Sequence, residues 1–389
     1  MTFQQRFKHT IVVIYIYKEL FSDKFVNKGM QNELNWVRAI AIFFMVQIHI
    51  IECFQNKIPI DSSYGMIANF LGSPPAAPIF IALLGAVIFY SRKNTPKALF
   101  NRGWHFLIWG YVFNFVAWTM TTLILYLKTS DVYYLQSSIT QLLNIDILQF
   151  AGLTFIFFAI VRKMKLDILK VLFIGLCILV INALTYNFHT GNILLDGILG
   201  LFIQTDSDIC YFPLFSWIIY PIVGYVFGNF LIRCRDKDKL YEILLFFSFV
   251  FLIILILTNN QLSLNLFEKF ILDTRAYYFQ NFLDNIFVIS FIFFWISIFY
   301  YFQKYIYSKC ELLNKTLNRW SKNVTAIYII SYLFITYLGN TEFLIIPADV
   351  LHYLLLVIFI FIASDFLAEI YSKYLKPMIS KYNPLSHLM

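Results

Sequence analysis

The sequence is poor in charged residues. Asp, Glu, Lys and Arg make up 13% of its 389 residues, against about 25% in soluble globular domains. Its five cysteines are scattered and form no CxxC motif, so the sequence indicates neither a zinc site nor a disulfide framework. No Pro-rich linker, fixed-period repeat or soluble domain divides the chain. These absences argue against a soluble protein built from several domains.

Apolar residues dominate instead: 60% of the chain is hydrophobic and 20% is aromatic. Ten apolar runs are long enough to cross a bilayer, and they predict an all-α, polytopic membrane bundle of about ten transmembrane helices. The predicted spans cover residues 37–54, 75–91, 103–127, 145–161, 168–187, 212–232, 241–258, 283–302, 323–339 and 348–368.

The basic residues alternate between successive loops. Of the 30 Lys and Arg residues, 26 lie in the N-terminal segment, in every second loop and in the C-terminal tail. The exceptions are Lys57, Lys128, Lys269 and Arg275. By the positive-inside rule, this distribution predicts that both termini are cytoplasmic. The net charge of +8 therefore reflects membrane topology, and we expect no nucleic-acid partner.

The spans predict one transmembrane domain at residues 30–376. Residues 1–29 form an expected cytoplasmic or interfacial lead-in, because their apolar run is too short to span and lacks a signal-peptide cleavage site. Met30 is an alternative start. Residues 377–389 form an expected cytoplasmic tail in what we interpret as a multi-pass protein of a bacterial inner or plasma membrane.

The first predicted span, NWVRAIAIFFMVQIHIIECF, contains ionisable residues. The eleven steps from Arg38 to His49 turn a helix by about 20° more than three full turns, so both residues share one face, about 16 Å apart along the axis. Glu52 follows His49 by less than one turn. Ionisable groups within a membrane need a partner or a wet cavity, which makes all three candidates for function.

Other candidates stand near the ends of predicted spans. They are Asp146, His352, His105, Asp365 and Glu369, together with Arg92 and Arg102 of a basic loop. Several candidates also have a structural interpretation: Asp146 and His352 as interface or N-cap residues, the arginines (Arg38 included) as positive-inside anchors, and His49 as an interfacial histidine bonded to backbone. From the residues alone, function stays open.

Four segments resemble the transmembrane acyltransferase superfamily, which includes acyltransferase family 3 and the heparan-α-glucosaminide N-acetyltransferase-like branch. VRAIAIFFMVQIH is similar to its first helix, in which an Arg, ten residues and a His open the fold. APIFIALLGAVIFYSRK is similar to the second helix. NIDILQFAGLTFI and YFPLFSWIIYPIVGYVFG are similar to two further segments of the heparan branch.

The resemblance implies an acyl-CoA-dependent O- or N-acyltransferase. Acyl-CoA, with acetyl-CoA expected, would enter from the cytoplasm as co-substrate without a metal. The acceptor would be a carbohydrate or glycolipid of the cell envelope. The catalytic residues would be His49 as general base and Glu52 as the group that orients the imidazole or holds a sugar hydroxyl. Arg38, Arg92 and Arg102 would bind the phosphates of CoA.

Three departures from the family pattern keep alternatives open. The branch has Asp and Gly where this chain has Asn35 and Ala39, and it has a late histidine where this chain has Ser331 or Tyr332. One alternative is therefore a non-catalytic member of the same fold. Another is a polysaccharide flippase or polymerase, although the outer loops have only four basic residues and no internal symmetry is evident. Oligomeric state and acceptor stay open.

Overall fold

The computed structural model describes residues 19–54, 61–185, 188–205, 209–273, 275–306, 309–340 and 349–378. Residues 1–18 of the lead-in, Lys57 and residues 379–389 of the tail lie outside this part of the chain. Within it the regular elements are all helical, and strand-like pairing is limited to three isolated bridges. The predicted all-α architecture is therefore confirmed.

Thirteen helices are numbered in chain order. They are α1 Asn32–Phe54, α2 Ser63–Gly72, α3 Ala77–Tyr90, α4 Pro96–Thr129, α5 Val132–Leu142, α6 Ile147–Lys163, α7 Ile168–Leu184, α8 Ile193–Leu199, α9 Leu214–Arg233, α10 Lys237–Leu257, α11 Phe282–Ile306, α12 Glu311–Asn340 and α13 Val350–Met378. Helix α4 contains a π-helical turn, Phe115–Thr119. Short π and 3-10 turns lie at Glu268–Leu272 and Ala276–Tyr278.

Seven described segments are long and apolar enough to cross a membrane. They are α1, α2 with α3, α4, α9, α10, α11 and α13. The other three predicted spans are also helical, but α6 and α7 have only 17 residues each, and α12 begins with a polar, charged half. A multi-pass membrane protein is thus supported, and the count of ten spans stays a prediction.

Helix α1 lies inside the bundle. It packs against α12, α11, α2 and α3, and Trp36, Val37 and Ile50 on it are fully buried. In contrast, α7, α10 and α13 present large apolar side chains on the outside, such as Leu169 and Leu257. Exposed apolar surface on this scale suits contact with lipid. The helix with the predicted site residues is therefore shielded from lipid by its neighbours.

Helices α4 and α6 cross at glycines, and this crossing positions part of the site. A Cβ atom on Gly103 would lie 2.6 Å from the carbonyl oxygen of Gly152, and one on Gly152 would lie 2.8 Å from that of Gly103. The two backbones are therefore in direct contact, which small residues allow in membrane helices. The contact sets Arg102, next to Gly103, at a fixed position relative to α6.

The described basic loops meet at one end of the bundle, which we call the basic end. Hydrogen bonds or ion pairs there join neighbouring segments: Arg162 to the Phe89 carbonyl at 2.9 Å, Lys237 to Glu33 at 2.6 Å, Lys304 to Asp238 at 2.6 Å and Ser372 to Asn323 at 2.8 Å. The described part of the lead-in docks at the same end, where the Ser22 N–H donates to the Arg233 carbonyl at 2.8 Å. The basic loops therefore share one end, as the charge pattern predicts.

Candidate functional site

Two cavities lie one after the other along α1. The arginine cavity, nearer the basic end, is lined by Arg38, Arg102, Phe80, Phe106, Phe155 and Thr325, among others. The histidine cavity, nearer the opposite end, is lined by His49, Glu52, Asn69, Asp146, Phe212, Tyr277 and Tyr278, among others. Met45, Ile147 and Tyr328 line both cavities. These three side chains form a junction along which the two cavities adjoin.

The arginine cavity combines two cations with aromatic walls. Arg38 reaches it from α1 and Arg102 from α4, where the guanidinium lies 4.5 Å from the centroid of the Phe155 ring. Neither guanidinium hydrogen-bonds to a described residue, and no described carboxylate lines the cavity. Guanidinium groups match the geometry of phosphate oxygens. This cavity is chemically suited to an anionic ligand that also has a planar or apolar part.

The structure separates Arg92 from the other two predicted arginines. Arg92 is exposed in the turn after α3 and is not among the residues that line the arginine cavity. Thr95 caps α4 by accepting a hydrogen bond from the Ala98 N–H at 3.3 Å, and Pro96 occupies the first turn. Helix α4 therefore begins between the two residues and directs only Arg102 into the bundle.

His49 lies half-buried against aromatic rings. Its ring centroid is 4.4 Å from that of Tyr332 and 5.9 Å from that of Tyr328. Its Nδ1 atom is buried and has no hydrogen-bond partner in the described part of the chain. Glu52 lines the same cavity, but it does not bond to Nδ1. The predicted pairing in which Glu52 orients the imidazole is therefore not formed through that nitrogen.

Asp146 has two structural roles. It is the N-cap of α6, where its Oδ1 accepts a hydrogen bond from the Ile147 N–H at 2.7 Å and Gln149 completes a capping box. Its Oδ2 accepts a hydrogen bond from the Tyr328 hydroxyl at 2.7 Å. The N-cap interpretation of Asp146 is confirmed. The same carboxylate also lines the histidine cavity, next to the junction with the arginine cavity.

Loop segments close the end of the histidine cavity. The Asn69 amide donates to the Ile271 carbonyl at 2.9 Å, and the Tyr277 hydroxyl donates to the Ser73 carbonyl at 3.3 Å. The Ile145 N–H donates to the Ile209 carbonyl at 2.7 Å and so holds the start of α6 beside residues 209–213. Loop segments therefore close one end of the histidine cavity, whereas the described lining residues of the arginine cavity all lie on helices.

The remaining candidates lie outside both cavities. His105 contacts the Asn101 carbonyl on its own helix. Asp365 bonds to Arg319 and Trp320, and Glu369 pairs with Arg319 and Lys373, so these carboxylates tie α12 to α13 at the basic end.

His352 is exposed at the start of α13. Its Nδ1 lies 2.5 Å from Oδ2 of Asp349, the N-cap of that helix. The hydrogen bond from the His352 backbone N–H is the main cause that lowers the pKa of Asp349 below its usual value. Asp349, and not His352, thus caps α13.

The sequence did not single out several residues of the site. Tyr328, Phe212, Asn69, Tyr277 and Tyr278 all line the histidine cavity. Among 26 Tyr and 44 Phe residues, an aromatic side chain carries little information by itself. A signal for Tyr328 was nevertheless present, because it lies in AIYIISY, the segment whose Ser331 and Tyr332 stand where the family pattern has a late histidine. Ser331 of that segment is fully buried and donates to the Tyr328 carbonyl at 3.0 Å.

One comparison with known proteins identifies the family of the chain. The family model of the acyltransferase domain of acyltransferase family 3 matches residues 31–369, which include α1 to α12 and most of α13. No curated protein and no solved structure matches the chain. The match covers both cavities and most of the sequence. The chain therefore belongs to acyltransferase family 3.

Proposed function

We propose that this protein transfers an acyl group, expected to be acetyl, from cytoplasmic acyl-CoA to a hydroxyl or amine of an extracytoplasmic carbohydrate or glycolipid. Membership of acyltransferase family 3 and the membrane-like helices support a membrane acyltransferase. The acyl-CoA donor and the carbohydrate acceptor are proposed from one further observation. A cavity with Arg38 and Arg102 and a cavity with His49 and Glu52 meet at Tyr328.

The arginine cavity is the proposed donor site. In this proposal Arg38 and Arg102 bind CoA phosphates by charge-assisted hydrogen bonds. Arg92, exposed in the neighbouring turn, assists only at the entrance. The pantetheine arm then extends toward Met45 and Tyr328 and brings the thioester to the junction.

The histidine cavity is the proposed reaction and acceptor site. The acceptor oxygen or nitrogen attacks the thioester carbonyl carbon, so that a C–O or C–N bond forms and the C–S bond breaks. His49 takes the proton that the acceptor loses, and the CoA sulfur leaves as a thiolate that takes up a proton. Histidine suits this task because its unperturbed pKa, about 6.5, is near neutral pH. Direct transfer is our preferred route, with an acyl-histidine intermediate as its variant.

We also propose that the protein resides in a bacterial inner or plasma membrane with both termini and the basic end in the cytoplasm. The 26 basic residues of the lead-in, alternate loops and tail support this orientation. A reporter fused after Met389 should be active only when it is a cytoplasmic reporter. Activity of an exclusively periplasmic reporter at that position would contradict the orientation.

The experiment that tests the function is transfer by the purified protein. Full-length protein is incubated with radiolabelled acetyl-CoA and a panel of sugars, and labelled sugar and free CoA are measured. Stoichiometric formation of both products is the expected result. A flippase or polymerase would acylate none of the panel, and a non-catalytic family member would bind acetyl-CoA without releasing CoA.

A further inference from the structure

The chain just before α1 lies against the C-terminal end of α9, and we call residues 19–31 the strap. Leu20 of the strap is buried, and the Phe21 ring centroid lies 5.2 Å from that of Phe230 on α9. The Arg235 N–H, just after α9, donates to the Leu20 carbonyl at 2.8 Å. The strap therefore packs on the transmembrane helices through side chains as well as backbone.

The strap supplies hydrogen-bond donors to the last turn of α9. The N–H groups of Val26 and Asn27 donate to the Ile232 carbonyl at 2.8 and 3.0 Å. The Asn27 side-chain amide donates to the Leu231 carbonyl at 3.0 Å. The last carbonyls of a helix lack partners within the helix and must find them elsewhere. The strap therefore caps α9 at its C-terminal end.

The same segment also fixes the start of α1. The chain bends at Gly29, whose φ of 118° lies in the left-handed region that favours glycine. The Gln31 amide donates to the carbonyls of Asn27 and Gly29 at 3.1 and 3.2 Å. The Lys237 ammonium of α10 donates to the side chains of Gln31 and Glu33 at 2.5 and 2.6 Å. The strap and α10 thus hold the first turn of α1 together.

Glu33 is the buried part of this anchor. Its side chain is 5% exposed, and it also accepts a hydrogen bond from the Tyr241 hydroxyl of α10 at 3.2 Å. A buried carboxylate needs such partners to offset its desolvation. A helix that slips by one residue advances about 1.5 Å and turns by about 100°. The anchor at Glu33 therefore determines where Arg38, five residues later, points.

We propose that the strap is a positioning element of the donor site, which holds α1 so that Arg38 faces the arginine cavity. The strap is thus part of the transmembrane domain, and a chain that begins at Met30 lacks it. Asn35 donates to the Asn318 side chain of α12 at 3.0 Å, so α1 has a second anchor that does not depend on the strap. Loss of the strap should loosen α1 without freeing it from the bundle. The consequence for acyl-CoA rests on the proposed function, whereas the anchoring of α1 does not.

The test compares two shortened chains and two point variants with the full-length protein. The Met30 chain begins at Met30 and lacks the strap, and the Glu19 chain, which begins just before the strap, is its reference. Asn27→Ala removes the side-chain donor to the Leu231 carbonyl. Lys24→Gln is the matched control, because Lys24 is exposed on the same strap.

Hydrogen–deuterium exchange followed by mass spectrometry tests the anchoring without any substrate. Exchange in the first turns of α1 and the last turn of α9 should be faster in the Met30 chain and, to a smaller extent, in Asn27→Ala, because both lose hydrogen-bond partners. Lys24→Gln should exchange like the full-length protein. Unchanged exchange in α1 of the Met30 chain would overturn the proposal. If that chain does not fold, Asn27→Ala decides by the same measurement.

Equilibrium binding of acetyl-CoA tests the consequence for the donor site. The Met30 chain should bind at least about tenfold more weakly than the Glu19 chain, and Asn27→Ala about threefold more weakly than the full-length protein. Lys24→Gln should bind normally. Transfer at saturating acetyl-CoA should fall less than the affinity, because the strap does not contact His49.

A strap with a purely structural role would give a different result. The variants would then unfold at a lower temperature while the folded protein bound acetyl-CoA with unchanged affinity, and this outcome would overturn the positioning role. If the full-length protein does not bind acetyl-CoA but the expected exchange pattern appears, the proposed function fails and the anchoring of α1 by the strap stands.

Discussion

The arginine and histidine cavities differ in charge and in construction, although α1 contributes to both. Arg38 and Arg102 make the first cationic, and helices form its walls. Glu52 and Asp146 make the second acidic, and loop segments such as 209–213 and the turn with Tyr277 and Tyr278 close it. Loops vary more readily than packed helices. In the proposed function, the donor site is thus formed by helices and the acceptor site is closed by loops.

The junction explains how two opposite environments can serve one reaction. Tyr328 lines both cavities, and its hydroxyl donates to Asp146 at 2.7 Å. Arg38 and His49 share one face of α1, about 16 Å apart along the axis. This separation allows the phosphates of a donor to remain with the arginines while its thioester reaches the histidine.

The largest expected loss of transfer follows from changes at His49. His49→Ala should lower transfer by about 10²–10⁴-fold, the usual loss when an acid–base group is removed. His49→Asn should do the same, because Asn retains hydrogen bonding but cannot take the proton. Acetyl-CoA affinity, measured by equilibrium binding, should not change in either variant. Wild-type turnover in both would show that His49 is only an interfacial histidine.

On the arginine side, the expected effect is on binding. Arg102→Gln should weaken acetyl-CoA binding by about ten- to hundredfold, the equivalent of a lost hydrogen bond to a charged group. Arg92→Gln should weaken it less, because Arg92 is exposed outside the cavity lining. Lys97→Gln, an exposed change in the first turn of α4, is the control. Equal acetyl-CoA affinity in the Arg102 and Lys97 variants would show that CoA does not bind in this cavity.

At the junction we expect a smaller, coupled effect. Tyr328→Phe removes the hydroxyl, and Asp146→Asn removes the charge while Asn still serves as an N-cap. Each should lower transfer by about three- to tenfold. The double variant should be little worse than the poorer single variant, because both changes break one hydrogen bond. Fully additive losses in a double-mutant cycle would show that the two groups act separately.

The smallest effect is expected at His352. His352→Ala should change transfer by less than about twofold, as is usual for exposed positions outside a site. The pKa of Asp349 is lowered in the folded state, so the stabilisation it gives is present above about pH 4 and is lost only as the pH falls through the folded value. The pH profile of transfer between about pH 6 and about pH 8 should therefore be the same in wild type and variant. A shifted pH profile would show that His352 and Asp349 take part in transfer.

Much of the fold could be predicted because apolar runs of about 20 residues have few stable alternatives to helices in lipid. The shared face of Arg38 and His49 followed from helical periodicity, since α1 is one continuous helix over Asn32–Phe54. The number of membrane spans was harder to predict. Helix α12 combines a polar half at the basic end with an apolar half, so length and hydropathy do not define where its membrane segment begins.

The histidine cavity was less predictable than the arginine cavity because distant segments form it. Asp146 and Tyr328 are 182 positions apart in the sequence, and no local pattern reports their hydrogen bond. The sequence does contain a signal that distinguishes Arg92 from Arg102. Thr95 and Pro96 form a typical start of a helix, N-cap followed by Pro at N1, and place Arg102 inside α4. The positive-inside rule counts Arg92 and Arg102 equally and so does not distinguish them.

The central claim is that the two cavities are one path across the membrane, and sidedness of transfer tests it most directly. Full-length protein is reconstituted in sealed proteoliposomes with acetyl-CoA outside and a sugar that the detergent-solubilised protein acylates trapped inside. A parallel sample has both substrates outside only. We predict acylated sugar only in the first sample, made by the molecules whose basic end faces outward, and none in the second sample from molecules of either orientation. Equal product with both substrates on the same side would contradict the account.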